Sequence, residues 1–94
     1  MKDIKQTIVK QQQEQITYPN LPLAVYRELA AHLQQVKGVT TKLIPQQSER
    51  FDYAKSQVET LLIQYPSSLD ILEKYQIKRI LDYYAKVHGA YERK

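Results

Sequence analysis

The side chains best suited to chemistry gather toward the C-terminal end, where tyrosines and bases interleave: Lys74, Tyr75, Lys78, Arg79, Tyr83, Tyr84, Lys86, His88, Tyr91, Arg93 and Lys94. A basic surface with aromatic flanks can hold phosphates by charge and bases by stacking. The same residue types, tyrosine and arginine, are enriched where proteins meet proteins. At helical spacing Lys74, Lys78 and Lys86 fall toward one side, Tyr83 stands off the apolar stripe, and Tyr84 and Tyr91 belong to that stripe. Asp82 interrupts the positive run. The candidate surface is therefore Lys74, Lys78, Arg79, Tyr83, Lys86 and Arg93, with a protein partner as the first reading and nucleic acid as the second.

Other chemistries find little support. A metal site needs converging ligands, and the chain offers His32 and His88, no cysteine and no His-Glu-x-x-His spacing. His32 follows Glu28 by four residues and reads as an ion-pair partner on a polar helix face, while His88 suits a helix C-terminus as a cation. Ser48, Ser56, Ser67 and Ser68, and Thr40, Thr41 and Thr60, stand in no nucleophile elbow or triad context. Two glycines cannot make a phosphate-cradling loop. Asp70 and Glu73 read as helix-start charges rather than an acid and base couple. The sequence assigns no catalytic, cofactor or metal residues, and the expectation is a non-enzymatic protein; an enzyme or small-ligand binder ranks third.

The overall charge favours neither polar partner strongly. The net charge of +4 divides as +1 over residues 1–17, +1 over residues 18–65 and +2 over residues 66–94, an even spread typical of a solvated surface. The 43% hydrophobic and 26% charged fractions are those of a globular domain. With no run near the roughly 18 apolar residues of a membrane span and no apolar leader, the chain reads as a soluble, cytoplasmic protein with no membrane partner.

The elements that must position these residues are written unevenly. Residues 21–36 form the clearest helix: Val25, Leu29, Leu33 and Val36 recur at helical spacing, Tyr26 and Ala30 widen the stripe, Asn20 can cap, Pro22 fits the first turn, and Gly38 ends it. Residues 39–44 read as a strand, with Val39, Thr41 and Leu43 on one face and Thr40, Lys42 and Ile44 on the other. Residues 45–50 read as a loop. Phe51, Ala54, Val58, Leu61, Leu62 and Tyr65 fit a helical stripe that Ser48 could cap. A lone strand at 39–44, however, leaves its backbone groups without partners, so a strand over residues 58–65 after an irregular or briefly helical 51–57 is preferred.

Ser67, Ser68 and Asp70 open the last helix in capping-box fashion, Ile77, Ile80, Leu81, Tyr84, Val87 and Tyr91 mark its stripe, and Gly89 offers a stop. Residues 1–17, with their glutamine run, read as a flexible polar tail ahead of a single domain at residues 18–94. Ile16-Thr17-Tyr18-Pro19 echoes Ile63-Gln64-Tyr65-Pro66; if that echo is structural, residues 16–18 form a third short strand.

Tyr18-Pro19-Asn20-Leu21-Pro22-Leu23-Ala24-Val25-Tyr26-Arg27-Glu28, Phe51-Asp52-Tyr53 with Ser56-Gln57-Val58, and Leu81, Tyr83, Tyr84 with Gly89-Ala90-Tyr91 together resemble a family of small conserved cyanobacterial proteins without assigned function. That family carries glycines where this chain has Glu59 and Thr60. The resemblance implies a bacterial cytoplasmic protein and brings no active site. The expected architecture is α+β: helix, strand, strand, helix, with both helices on one face of a small antiparallel sheet. A two-stranded sheet is marginal alone, so its other face could take a protein partner or a second copy.

Overall fold

The computed structural model describes residues 10–45 and 58–94. Residues 1–9 of the expected 1–17 tail, residues 46–50 of the expected 45–50 loop and the irregular stretch at 51–57 lie outside the described residues.

Helix α1, Leu23–Leu33, begins where Pro22 takes an extended conformation and its carbonyl accepts from Val25 N and Tyr26 N at 3.0 Å each. The carbonyl of Pro22 therefore sets the start, and Asn20 does not cap. The helix ends earlier than residue 36 because Gln34, Gln35 and Val36 turn away through bonds such as Val36 N to Leu33 O, 3.0 Å. Val36 is nevertheless buried. Gly38 completes the turn at φ +86°, and a Cβ there would meet Leu69 Cδ1 at 3.2 Å. Glycine supplies both the left-handed backbone and the clearance.

Strand β2, Thr40–Pro45, pairs antiparallel with β3, Val58–Pro66, in a register that sets Thr41 opposite Ile63 and Leu43 opposite Leu61. The strand reading of residues 58–65 holds. Leu61, Ile63 and Tyr65 alternate into the core while Leu62 and Gln64 lie half-buried on the opposite face, which a helix would not produce. Helix α2, Ile71–His88, starts at Asp70, whose carboxylate accepts from Leu72 N at 3.2 Å. The cap is Asp70 itself rather than Ser67. Gly89, at φ +106°, donates its N–H to Ala85 O and ends the helix.

Two strands escape the expected order. Gln11–Thr17 is not a tail but β1, an inner strand that pairs with β3 from Gln11 opposite Pro66 to Ile16 opposite Leu61. The short strand β4, Glu92–Arg93, pairs with the other side of β1. Glutamines are tolerated because a strand needs only its backbone to pair, and Gln11, Gln13 and Gln15 lie exposed on the face away from the helices. On the face toward the helices, fully buried Ile16 supplies the apolar contact. Glu14 is held there by the Tyr65 hydroxyl at 2.7 Å and by the Arg93 guanidinium.

The sheet order is β2-β3-β1-β4, antiparallel throughout. β1 and β2 run parallel on either side of β3, with α1 between them in sequence. β3 and β4 flank β1 in the same way around α2. Two interleaved split βαβ units of this kind are the ferredoxin-like arrangement, an α+β fold with its helices packed against an open sheet.

The core lies between helices and sheet. Tyr18 sits at its crossing point: its N–H donates to the Tyr26 hydroxyl (2.7 Å), which donates back to Tyr18 O (3.0 Å), and its own hydroxyl donates to Leu81 O at 2.6 Å. One residue thus ties the end of β1 to both helices. Leu21, Leu29, Leu33, Leu61, Ile63 and Leu81 are fully buried around it, each contributing roughly 1.5 to 3 kcal/mol.

Candidate docking groove

Because α2 buries Ile77, Leu81 and Tyr84, the residues half a helical turn away face outward. There Leu72, Tyr75, Arg79, Tyr83 and Val87 recur at three- and four-residue steps, and the four apolar or aromatic ones are each more than half exposed. Val87 therefore does not belong to the core stripe in which its spacing places it. Arg79 stands in the middle of this outward stripe, and Lys86 lies near its end.

Along one border of the stripe α2 runs beside the end of α1 and leaves a groove of about 410 Å³. His32, Gln35 and Val36 form one wall, and Gln76, Arg79, Ile80 and Tyr83 form the other. Buried Val36 and half-buried Ile80 supply apolar surface. Tyr84 supports the groove from below. Its hydroxyl donates to Glu28 Oε2 at 3.1 Å, and its ring meets His32 and Tyr83 edge-on, with centroids at 6.2 and 5.4 Å, and stacks on His88. Burial, then the Glu28 carboxylate, pushes the Tyr84 hydroxyl up to about 12. Glu28 therefore serves Tyr84 rather than forming the expected ion pair with His32.

The structure divides the six residues expected to form one basic surface. Arg79, Tyr83 and Lys86 share the outward stripe. The Arg79 guanidinium lies 5.9 Å over the Tyr75 ring. Lys74 and Lys78 lie on the flank of α2, where Lys78 Nζ meets Asp82 Oδ2 at 2.6 Å. That hydrogen bond raises the Lys78 pKa, and together with the bond from the Tyr91 hydroxyl it lowers that of Asp82. Arg93 is on β4, engaged with Glu14 and 5.8 Å over the Tyr91 ring. Lys78 and Arg93 thus belong to a network of alternating charge that runs through Asp82, Tyr91 and Glu14. The bases do not converge on one site.

The expected list lacked His32, Gln35, Val36, Gln76, Ile80, Leu72, Tyr75 and Val87. Leu72, Tyr75, Tyr83 and Val87 do carry a sequence signal, a second apolar stripe opposite the first on one helix. The α1 wall has no local signal, because only the tertiary packing brings it beside α2.

On the open face of the sheet Gln13, Gln15, Thr40 and Lys42 are exposed, and Ile44 and Leu62 are half-buried. Thr60 is buried there, with its hydroxyl accepting from Lys94 Nζ at 3.1 Å. This face is more polar than the α2 stripe. Among the described residues no three His, Asp or Glu side chains converge as a metal site, and no helix is long and apolar enough to cross a membrane. No protein-family model, no curated protein and no solved structure matches the chain.

Proposed function

We propose that this chain is a non-enzymatic protein-interaction or regulatory module that docks its partner on the outward face of α2 and in the adjoining groove. One observation supports the reading: the five exposed large hydrophobic residues among those described, Ile71, Leu72, Tyr75, Tyr83 and Val87, all lie on this one helix. Scattered apolar side chains are ordinary on a surface, whereas an aligned set is a surface awaiting cover. A cytoplasmic, bacterial setting, as the resemblance to the cyanobacterial family implies, belongs to the same proposal.

The test is cross-linking of the full chain in cell extract, comparing wild type with a Tyr75→Glu/Tyr83→Glu double variant. The expected result is a discrete complex formed by the wild type and lost in the variant, with melting temperature unchanged. A complex indifferent to the substitutions, or none at all, overturns the reading. The second reading, nucleic-acid binding, draws on Arg79, Tyr83 and Lys86 sharing one face. Titration of labelled single- and double-stranded oligonucleotides at low salt decides it: binding must occur and must fail in Arg79→Glu/Lys86→Glu.

A further inference from the structure

The groove has a sign. Its lining contains one permanent cation, Arg79, and no carboxylate. Lys78 and Arg93 each have an acidic partner. Arg79, among the described residues, has only the Tyr75 ring. Asp82 is held on the far flank by Lys78 and Tyr91, Asp70 caps the helix, and Glu28 is taken by Tyr84. Half-buried Glu73 lies one turn before Gln76, outside the lining. A guanidinium left without a carboxylate beside apolar walls is matched by an anionic group set among apolar ones.

On α2 the groove runs from Gln76 to Tyr83, about 10 Å at 1.5 Å per residue, and the outward stripe beside it is longer. The stripe from Leu72 to Val87 spans about 22 Å at 1.5 Å per residue, or four turns of helix. Its three- and four-residue steps are those that receive the i, i+4, i+7 anchors of a helix laid alongside. Resting on the docking reading above, we propose that the occupant is an acidic amphipathic helix of a partner protein, with its apolar side on half-buried Ile80 and exposed Tyr83 and a carboxylate on Arg79.

A second copy fits less well. Antiparallel two-fold packing of the stripe on itself brings Arg79, next to its midpoint, against its own symmetry mate, and the stripe offers no acid between them. Nucleic acid leaves Leu72 and Val87 without a use and finds Lys78 and Arg93 already neutralised.

The experiment uses the full chain and two fluorescein-labelled helical peptides of about four turns. Both carry leucines at i, i+4, i+7 and i+11; glutamates fill the remaining faces of one and lysines those of the other. Fluorescence anisotropy is expected to show the acidic peptide binding at least about tenfold more tightly. Arg79→Glu should reverse the preference, and Tyr83→Ala should weaken both peptides. Far-ultraviolet melts confirm that the variants fold. Equal binding of both peptides, lost in Tyr83→Glu, overturns the acidic partner while leaving the docking reading standing. Binding of neither peptide overturns the helical occupant. Dimerisation in sedimentation that Tyr83→Glu abolishes overturns it in favour of a second copy. An oligonucleotide that displaces the acidic peptide and outcompetes it at physiological salt overturns it in favour of nucleic acid.

Discussion

Replacing Tyr26 with phenylalanine isolates the polar lock at the centre of the fold. The ring is fully buried and packs edge-on against Tyr18, with centroids 6.1 Å apart at 83°. Phenylalanine keeps this packing, so the change in apolar burial is negligible. What disappears is one hydroxyl making two bonds, accepting from Tyr18 N at 2.7 Å and donating to Tyr18 O at 3.0 Å. The stranded Tyr18 N–H costs about 1 to 3 kcal/mol and the lost donation about 0.5 to 1.5, together about 1.5 to 4.5 kcal/mol. For a domain of this size that is a fall in Tm of roughly 6 to 36 °C. Urea unfolding followed by far-ultraviolet circular dichroism measures it, with the m value unchanged. Tyr83→Phe, at an exposed position, should stay within about 0.5 kcal/mol of wild type. If Tyr26→Phe does the same, Tyr18 N–H has another partner and the lock does not exist.

Three further outcomes are expected. Tyr18 and Tyr26 are raised above the ordinary tyrosine value of 10 chiefly by burial, and Tyr65 and Tyr84 reach about 12. The native state therefore holds protons that the unfolded chain releases from pH 10 upward. The contribution of these tyrosines is intact below pH 10 and declines as pH rises toward 12, so a Tm flat between pH 10 and 11.5 would contradict the burial of these hydroxyls. Gly38→Ala, at φ +86° with Leu69 Cδ1 3.2 Å from the new Cβ, should destabilise by about 1 to 2 kcal/mol in urea titrations. Ile16→Ala should cost about 2 to 5 kcal/mol, whereas Gln13→Ala at an exposed position of the same strand should cost little; equal tolerance of both would return β1 to the status of a tail.

The elements with a strong local pattern were legible in the sequence. The stripe of α1, the β-branched start of β2 and the Asp70 to Gly89 span of α2 are each written within a few neighbouring residues. β3 was recovered by asking where the backbone bonds of β2 must go, although Leu61 and Leu62 side by side suit a helix equally well. β1 was lost because its pairing is a backbone property that Gln11, Gln12 and Gln13 do not advertise. Ile16 and Tyr18 alone hinted at it. β4 is too short to carry a period. The candidate site is half legible: Arg79 and Tyr83 stand out in the sequence, but the α1 wall beside them does not. Sequence counts Lys78 and Arg93 as bases and does not show that Asp82 and Glu14 have taken them.

The interleaved order of the sheet bears on how the chain is made. Ile16 leaves the ribosome well before Leu61, its neighbour in the sheet. At roughly 5 to 20 residues per second the delay is roughly 2 to 9 s, and for Arg93 on the other edge of the same strand roughly 4 to 15 s. Until β3 emerges the β1 segment has no sheet partner on either edge, and closing it on partners so distant in sequence is a slow step in folding. A run of glutamines and one glutamate gives such a waiting segment little apolar surface with which to stick to its neighbours on a polysome. The composition that disguises β1 as a tail also limits the apolar contacts this strand can make before the rest of the sheet arrives.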